Sequence, residues 1–584
     1  MTETVEFSDA ADRRLALGAS GLLRTFNEAG VLTSADVHVA TRVARLAGEL
    51  DERVVLAAAL ATRAVRHGSV GVDLGSVADV AAGLPWPETG GWLTSVTDSP
   101  LVTRGVLHHE FDLLYLDRYW SQEGQLCRDL QHRLAGTSPA VDTAALDAAL
   151  QRVFPGATYG EQRTVASGAA TQLTTVLTGG PGTGKTTTVA GLLALFAEQR
   201  EIAGLPQLRI ALTAPTGKAS ARLQEAVAAA SHRLQPVDRA RLGELGAVTL
   251  HRLLGTRRDN GTRFRHHRGN RLPHDVVVVD ESSMVSLTMM TRLIEAVRPD
   301  SRLILVGDPD QLASVEAGAV LADLVAGLSG RTESPVLHLA TTHRFGEGIG
   351  RLAAALRDGS SDGVLGVLRS GEEGVDFVET DDPAPTLRPR LVQAAVELRA
   401  HAEAGRSNEA VQALDRHRLL CAHREGPFGV QHWNRQTEHW LSEATGDPLY
   451  EPMYVGRPLL VTANDYGLGV YNGDAGVVVR GESGPRTVIA GAHGLTDFAT
   501  SRMRDVETMF ATTIHKSQGS QANEVTVLLP PPASRLLTRE LFYTAVTRAM
   551  SRVRVVGTEE SVRAAVERRA QRASGLRQRL TVSR

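Results

Sequence analysis

The sequence predicts an α/β fold in which two parallel-sheet units follow a helical N-terminal domain, and a small β insertion lies in the second unit. Near residue 148 the pattern changes to alternating strands and helices, which is typical of a parallel sheet. The wholly apolar run Val276–Val279 fits a strand that is covered on both faces. We therefore expect a helical domain over 1–145, a sheet domain over 146–345 and another over 346–584, with the insertion at about 477–505.

Length, charge and cysteine content limit the class of protein. A chain of 584 residues can hold three or four domains. Its net charge of −3 means that any basic surface for nucleic acid must be local. Two cysteines form no disulfide framework, residues 1–19 lack a signal-peptide core, and no run approaches the roughly 20 apolar residues of a membrane span. These features predict a soluble, cytoplasmic protein with no membrane partner.

Residues 1–145 are expected to be helical. Val39, Val43 and Leu46 keep the spacing of one helix face, 54–65 forms an apolar helix, and helix resumes over 113–133. No metal-binding or catalytic constellation occurs in this segment. A domain without its own chemistry at the front of a motor usually contacts a partner or the substrate, and we predict that this one docks a partner.

Residues 173–198 carry the clearest chemical signal. A β-branched run predicts a buried strand, a glycine-rich loop follows, and 186–198 has the apolar spacing of a helix. This is the G-x-x-x-x-G-K-T pattern of a phosphate-binding loop in the context that it needs, with backbone N–H groups placed to hold a triphosphate. The predicted nucleotide-binding residues of the loop are Gly179, Gly180, Pro181, Gly182, Thr183, Gly184, Lys185 and Thr186.

Three side chains refine this prediction of a nucleotide site. Lys185 can reach the β- and γ-phosphates, and the Thr186 hydroxyl can bind Mg²⁺. Gln162, one helix upstream, can contact both edges of an adenine. A glycine-rich turn without a ligand is the alternative, which the complete motif disfavours. ATP and Mg²⁺ are the predicted cofactors.

Lysine is rare in this chain. Of 63 basic residues only Lys185, Lys218 and Lys516 are lysines, and the others are arginines. An ammonium group is a compact charge, whereas a guanidinium group is a broad planar fork. The three lysines are therefore expected to occupy sites where the fork does not fit. Chance placement of three rare residues is the alternative.

Further predicted catalytic residues follow the strands. Asp280, at the tip of an apolar strand, can bind the water shell of Mg²⁺, and Glu281 can orient or deprotonate the attacking water. Capping of the next helix by these acids is the alternative. Gln311 follows the next predicted strand and can sense the γ-phosphate. Arg344 and Arg548 are the candidate arginine fingers.

Two basic segments have no assigned chemistry. Residues 251–271 contain seven arginines and one acid, and Asp259-Asn260-Gly261 is a strong turn signal, so a hairpin is predicted at about 256–272. It is either a solvated loop or a hairpin on the nucleic-acid side. Residues 561–584 carry seven arginines and one glutamate. We interpret them as a solvated helix face in preference to a DNA-binding tail.

Six motifs occur in the order and spacing of one enzyme superfamily. They resemble the motifs of superfamily 1 helicases and lie at 179–186, 214–220, 280–281, 307–311, 513–520 and 543–548. Within that superfamily, 114–120, 420–430, 464–476 and 514–520 resemble the RecD family, the alpha subunits of exodeoxyribonuclease V (RecBCD). The resemblance covers nearly the whole chain.

The resemblance implies two RecA-like P-loop domains with a small β-barrel-like insertion in the second. It implies ATP-driven 5′-to-3′ translocation on single-stranded DNA, assembly with RecB-like and RecC-like subunits, and action at double-stranded DNA ends in break repair and recombination. Candidate DNA-backbone contacts that grip without reading sequence are Thr216, Lys218, His251, Thr513, His515 and Lys516.

Three other functions remain open. One is a stand-alone RecD-like helicase, although residues 1–145 are short and lack glycine-rich helix-hairpin-helix signals. Another is a DNA-dependent ATPase switch that does not unwind DNA. The third is an interaction subunit with a vestigial ATPase, but the chain retains Lys185, Asp280, Glu281, Gln311 and Arg548. No acidic nuclease cluster is evident, so nuclease activity is expected in a partner.

Overall fold

The computed structural model describes residues 15–257, 260–342, 346–465, 467–491 and 494–582. Residues 15–134, the N-terminal domain, combine helices with a small antiparallel sheet. The elements are α1 (Gly21–Glu28), α2 (Ser34–Ala47), α3 (Glu52–Arg66), β1 (Gly71–Val72), α4 (Thr89–Thr97), α5 (Pro100–Thr103), β2 (Leu107–Glu110), β3 (Leu113–Leu116) and α6 (Asp117–Leu134), with a 3-10 turn at Val77–Val80. The strand order is β1-β3-β2.

The core of the N-terminal domain is formed mainly by α3 because its apolar residues are almost continuous. Leu60 packs in one buried cluster with Phe26 and Trp92. The predicted helix over 113–133 is wrong in its first turn, where β3 pairs with both β1 and β2 and α6 begins only at Asp117. Leu114 and Tyr115 have no exposed surface, so the tertiary pairing of β3 overrides the helical interpretation.

The first large sheet is parallel, and its described strands have the order β11-β4-β10-β9-β5-β6. Its elements are α7 (Thr143–Val153), α8 (Gly160–Ala170), β4 (Thr174–Gly179), α9 (Lys185–Ile202), β5 (Ile210–Ala214), α10 (Gly217–Ser231), α11 (Pro236–Leu242), β6 (Ala247–Thr249), α12 (Leu250–Leu254), β7 (Thr256–Arg257), β8 (Asn260–Phe264), β9 (Val276–Val279), α13 (Leu287–Ala296), β10 (Arg302–Gly307), α14 (Val320–Leu328) and β11 (Val336–Leu339), with 3-10 turns at Ala157–Tyr159 and Ser282–Met284. The four valines of β9 are buried on both faces. β7 and β8 pair antiparallel, so a hairpin is present, but it spans 256–264 and not 256–272, and Asn260 and Gly261 of the predicted turn belong to β8. Residues 258–259 lie outside the described ranges.

The second large sheet is also parallel, and its described strands have the order β12-β21-β20-β13-β19. Its elements are α15 (Glu347–Asp358), α16 (Ser361–Arg369), β12 (Val375–Glu379), α17 (Ala384–Glu403), α18 (Ser407–Ala413), β13 (His417–Cys421), α19 (Val430–Thr445), β19 (Ala511–Thr513), β20 (Ala522–Leu528), α20 (Arg539–Val546), β21 (Ala549–Gly557) and α21 (Glu559–Glu567). The two parallel sheets, together with the mainly helical domain that precedes them in the sequence, confirm the predicted fold class.

An antiparallel sheet interrupts the second sheet unit. Its elements are β14 (Pro458–Val461), β15 (Ala475–Gly481), β16 (Gly484–Gly491), β17 (Gly494–Ala499) and β18 (Val506–Thr508), with a 3-10 turn at Thr500–Arg502. The described strands have the order β17-β16-β15-β14-β18. The insertion is therefore wider than the predicted 477–505, because β14 and β18 pair across the intervening hairpins.

Residues 568–582, the C-terminal strap, follow the second sheet unit and pack against the N-terminal domain and the first sheet unit. The strap ends in α22 (Leu576–Val582). Leu576 and Leu580 are buried in the cluster that also holds Leu324 of α14 and Leu126 of α6. The Val70 backbone N donates to Ala573 O at 2.8 Å. Interpreting this segment as a solvated helix face is wrong, because its apolar side packs onto two domains that are distant in sequence.

The structure bears on two expectations about the environment of the chain. Cys127 and Cys421 are both buried free thiols. No helix in the described ranges is long and apolar enough to cross a membrane.

Candidate active site

The loop between β4 and α9 has the geometry of a phosphate cradle. Gly182 and Gly184 have φ values of +83° and +86°, which residues other than glycine rarely adopt. A Cβ on Gly179 would lie 2.6 Å from Leu339 O and 2.7 Å from the Thr183 hydroxyl. Backbone conformation and close packing therefore both require glycine in this loop.

Lys185 begins α9 and folds over the loop. Its Nζ donates to Gly179 O at 2.6 Å and to Gly180 O at 2.9 Å. Lys185 and Thr186 line a cavity together with Asp280 and Glu281. The cation, the hydroxyl and the two carboxylates predicted from separate motifs thus share one cavity.

The two acids lie directly after β9. The Glu281 backbone N donates to Asp280 Oδ1 at 2.9 Å, and Glu281 itself has φ +50°, a left-handed conformation that few non-glycine residues in the described ranges adopt. Burial, followed by the adjacent Glu281 carboxylate, raises the pKa of Asp280. Such strain and charge crowding are typical of functional sites, because surrounding structure must maintain both.

Gln162 belongs to α8, and its buried side chain lies next to the phosphate loop. Its Nε2 would be 3.2 Å from a Cβ placed on Gly184. Its Oε1 has no hydrogen-bond partner among the described residues. A buried amide oxygen without a partner is costly, so it fits the predicted role of accepting a hydrogen bond from a nucleobase.

The second sheet unit reaches the same cavity through Arg548. Its Nη2 donates to Gln311 Oε1 at 2.6 Å, and its Nε donates to Thr544 O at 3.1 Å. Gln311 Nε2 donates in turn to Asp308 Oδ2 at 3.0 Å. The predicted γ-phosphate sensor and one predicted arginine finger are thus in direct contact. The other candidate finger, Arg344, lies outside the described residues.

Sequence reasoning missed several residues that join the two sheet units. The Tyr543 hydroxyl donates to Asp308 Oδ2 at 3.0 Å, and it is 3.2 Å from a Cβ placed on Gly180. The Leu312 backbone N donates to the Thr544 hydroxyl at 2.9 Å, and Gln518 Nε2 donates to Leu312 O at 2.8 Å. These residues lie in or beside the recognised motifs, and this position is the sequence signal that could have indicated their role.

Arg222 of α10 was also missed. It lines the cavity beside Asp280, and its Nη2 donates to Gln521 Oε1 of the second sheet unit. Its place one helical turn after Lys218 was the only sequence signal. The cavity therefore contains a second arginine–glutamine contact between the two sheet units.

Tyr543→Phe is expected to lower the turnover of ATP about tenfold, because Asp308 loses a buried hydrogen bond that positions Gln311. The KM for ATP is expected to stay within about twofold, because the Tyr543 hydroxyl bonds to Asp308 and not to Gln162, the predicted contact of the base. Steady-state ATPase kinetics on the full chain measure both quantities.

Tyr454→Phe is the matched control for this variant. It removes a hydroxyl that donates to Glu438 at 3.1 Å, away from the cavity. Equal losses of turnover in the two variants would show that Tyr543 acts only on stability.

Three of the candidate DNA contacts lie in the first sheet unit. The Thr216 hydroxyl caps α10 by accepting from Ala219 N at 3.2 Å. Burial, followed by the Arg418 charge, lowers the pKa of Lys218 to about 8. His251 is exposed on α12, with its ring centroid 5.9 Å from that of Phe264.

The other three candidate DNA contacts lie at the last residue of β19 and in the loop that follows it. The Thr513 hydroxyl accepts from Lys516 N at 3.2 Å, and Lys516 Nζ lies 3.3 Å from Glu507 Oε2. His515 faces a different cavity, between the N-terminal domain and the second sheet unit. Contact of these six residues with DNA stays a prediction.

Comparison of the sequence with known protein families and relatives identifies the family of this chain. Residues 162–317 match the AAA domain family, and 508–556 match the UvrD-like helicase C-terminal domain. Residues 28–109 match the N-terminal domain of RecBCD enzyme subunit RecD. A RecBCD enzyme subunit RecD from Mycobacterium tuberculosis is 62% identical over 573 residues, which cover 97% of this chain and 98% of the relative. The chain belongs to the RecD family.

Two further relatives mark the breadth of the RecD family. The RecBCD enzyme subunit RecD of Mycolicibacterium smegmatis is 60% identical over 96% of this chain and 99% of the relative. The ATP-dependent RecD2 DNA helicase of Deinococcus radiodurans is 29% identical over 83% of this chain and 61% of that protein. The resemblance to the RecD family and the prediction of a DNA-dependent ATPase and helicase are confirmed.

Proposed function

We propose that the chain is the ATP-driven 5′-to-3′ translocase of a RecBCD-type helicase–nuclease that acts in double-strand break repair and recombination. The bond between Arg548 and Gln311 carries this proposal, because it places residues of both sheet units on one nucleotide cavity. A nucleotide bound there contacts both units, so its hydrolysis can change their separation.

The residues around the cavity fit ATP and Mg²⁺. The glycine-lined loop and Lys185 suit the phosphates, and the buried Gln162 oxygen suits a base. The Thr186 hydroxyl and the Asp280 carboxylate are the oxygen donors that Mg²⁺ prefers, and both line the cavity. When bound, the metal neutralises charge on the phosphate oxygens.

Hydrolysis is assigned to the chain's own residues. Glu281 orients a water molecule for attack and accepts its proton, while Gln311 contacts the γ-phosphate. Arg548 stabilises the charge of the transition state, as Arg344 is proposed to do. Arginine fingers contribute roughly 10³–10⁵ in rate in enzymes of this kind.

DNA grip is assigned to both sheet units. Thr216, Lys218 and His251 belong to the first unit, and Thr513, His515 and Lys516 to the second. Alternating grip by two bodies that close and reopen around ATP moves the chain along a strand without reading its sequence.

Unwinding of forked DNA tests the function and its polarity. The full chain with ATP is expected to unwind a fork with a free 5′ tail and to leave a fork with only a 3′ tail intact. A non-hydrolysable ATP analogue serves as the control. Unwinding from the 3′ tail would contradict the polarity, and DNA-stimulated hydrolysis without unwinding would favour an ATPase switch.

Partner docking is assigned to the N-terminal domain. Apolar side chains are exposed there on α2 and at Leu50, shortly after α2 ends. Val39, Leu46 and Leu50 are 42%, 64% and 91% exposed, and a spacing of seven residues places Val39 and Leu46 on one face of α2, which ends before Leu50 with Gly48 as its C-cap. An exposed apolar face of this kind is typical of an interface. RecB-like and RecC-like subunits are the proposed partners.

Leu46→Asp combined with Leu50→Asp is expected to abolish co-purification with RecB-like and RecC-like chains, since two charges would be placed in an apolar contact. Leu205→Asp, at an exposed leucine of the first sheet unit, is the control. Stoichiometric assembly of the double variant would place the docking surface elsewhere. Deletion of 1–145 is less suitable, because Leu126 and Leu130 share a buried cluster with α13.

A further inference from the structure

A cavity of about 730 Å³ separates the N-terminal domain from the second sheet unit. One wall is α3 and the residues after it, and the other is formed by segment 535–541 and the C-terminal strap. His515 and Leu312 also line it. We call it the arginine cavity because of its lining arginines, which among the described residues are Arg63, Arg535, Arg568, Arg569 and Arg572.

Several of these guanidinium groups are held by neutral partners. Arg63 Nε donates to Val31 O at 2.9 Å, Arg568 Nη2 donates to Pro532 O at 3.1 Å, and Arg572 Nη1 donates to Glu316 O at 2.9 Å. A carbonyl oxygen fixes the position of a guanidinium group but leaves its positive charge uncancelled. The groups are therefore ordered cations.

The described residues that line the cavity include fewer acids than arginines. Asp73 and Asp79 are the carboxylates among the described lining residues, against five arginines, while Asp36 and Glu540 act on Arg63 and Arg572 from outside the lining. Burial, followed by the charges of Arg535 and Arg66, lowers the pKa of Arg63 to about 10. Burial, followed by the charges of Arg63 and Arg66, lowers the pKa of His67 to about 4, so His67 is neutral at pH 7. A concentration of one sign of charge in a cleft attracts an anion.

We propose that the arginine cavity binds phosphodiester groups of a single DNA strand. Its volume lies in the range of about 300–1,000 Å³ that is usual for ligand sites. A cavity of this size is larger than one phosphate group needs. The arginines come from three separate segments of the chain, as suits contact with several phosphates of one strand. Guanidinium groups match phosphate oxygens in pairs. The proposal rests on the proposed function as a DNA translocase.

The same cavity connects to the nucleotide site. Leu312 follows the γ-phosphate sensor Gln311, lines the arginine cavity, and accepts from Gln518 Nε2 at 2.8 Å. His515 belongs to the same loop as Gln518. A strand bound in the arginine cavity therefore contacts residues that border the ATP cavity, so the N-terminal domain takes part in DNA stimulation of the ATPase.

The test is a double variant at two exposed arginines of the cavity, Arg535→Gln with Arg569→Gln. Affinity of the full chain for an oligothymidylate of about 20 nucleotides is measured by fluorescence anisotropy at several salt concentrations. Loss of two phosphate contacts is expected to reduce the slope of log K against log salt by about 1.4 and to weaken binding about tenfold at low salt. DNA stimulation of ATP hydrolysis is expected to fall with it.

Two further variants make the test specific. Arg233→Gln with Arg406→Gln removes the same charge from exposed arginines elsewhere, and wild-type binding is expected. Arg535→Lys with Arg569→Lys keeps the charge, and recovery of most of the salt slope is expected.

Three results would overturn the proposal. An unchanged affinity and salt slope in the double variant is the first. Normal DNA binding with lost co-purification of RecB-like and RecC-like chains is the second, because it would make the cavity a protein interface. Equal losses in the Arg233 and Arg406 control would be the third, since only bulk charge would then matter. Failure of the wild-type chain to bind single-stranded DNA would instead contradict the proposed function itself.

Discussion

Lys185→Arg is expected to reduce DNA-stimulated ATP hydrolysis by at least about 10², although the positive charge is kept. The Lys185 ammonium fits between Gly179 O and Gly180 O at 2.6 and 2.9 Å, inside a loop where a Cβ on Gly179 would already collide. A longer planar head must displace either the phosphates or the glycine backbone, and a displacement of about 1 Å at a reacting centre can cost roughly 10² in rate. Steady-state ATPase assays with saturating single-stranded DNA measure the effect.

The other two lysines and a surface arginine complete this series. Lys218→Arg and Lys516→Arg are expected to cause milder losses, mainly in DNA stimulation. Arg233→Lys, at an exposed position, is expected to change little. Arg572, in the C-terminal strap, is less suitable as a control, because its guanidinium group donates to Glu316 O of the first sheet unit. A wild-type rate from Lys185→Arg would show that the three lysines persist by chance.

Glu281→Gln is expected to leave ATP binding intact while DNA-stimulated hydrolysis falls by at least about 10², the scale of general-base effects. The amide keeps the shape of the side chain in its left-handed backbone conformation but cannot accept the proton of the attacking water. The change also removes the negative charge that helps to raise the pKa of Asp280, so the carboxylate of Asp280 is favoured. Retained binding therefore has a physical basis.

Binding of a fluorescent ATP analogue and single-turnover hydrolysis separate the two effects. Glu333→Gln, at an exposed site after α14, is the matched control and is expected to hydrolyse ATP at the wild-type rate. Turnover close to wild type in Glu281→Gln would remove Glu281 from the mechanism.

Short-range motifs explain why much of the nucleotide site was predictable. Gly179 and Lys185 are six positions apart, and Asp280 and Glu281 are adjacent, so a strand and a tight turn place them with little help from the rest of the chain. The four valines of β9 likewise indicate a strand buried on both faces. Local sequence therefore determined the fold class, the phosphate loop and the carboxylates.

Long-range packing decided what the motifs touch. Arg548 and Gln311 are 237 residues apart, and Tyr543 and Asp308 are 235 residues apart, yet each pair is hydrogen-bonded. The sequence contains no periodicity that specifies such pairs, because they depend on how two separately folded sheets meet. The sequence predicted a role for Arg548 but not the partner of its guanidinium group.

The C-terminal strap shows the same division most clearly. Its arginines suggest a solvated face, because composition reports charge but not neighbours. Leu576 and Leu580 are nevertheless buried against α14 and α6, and Glu123 accepts from the Ser574 hydroxyl at 2.7 Å. By itself the sequence determined that this protein is a P-loop helicase of the RecD family. Only the tertiary structure decided which arginines meet across the arginine cavity, because burial and charge proximity arise when distant segments pack together.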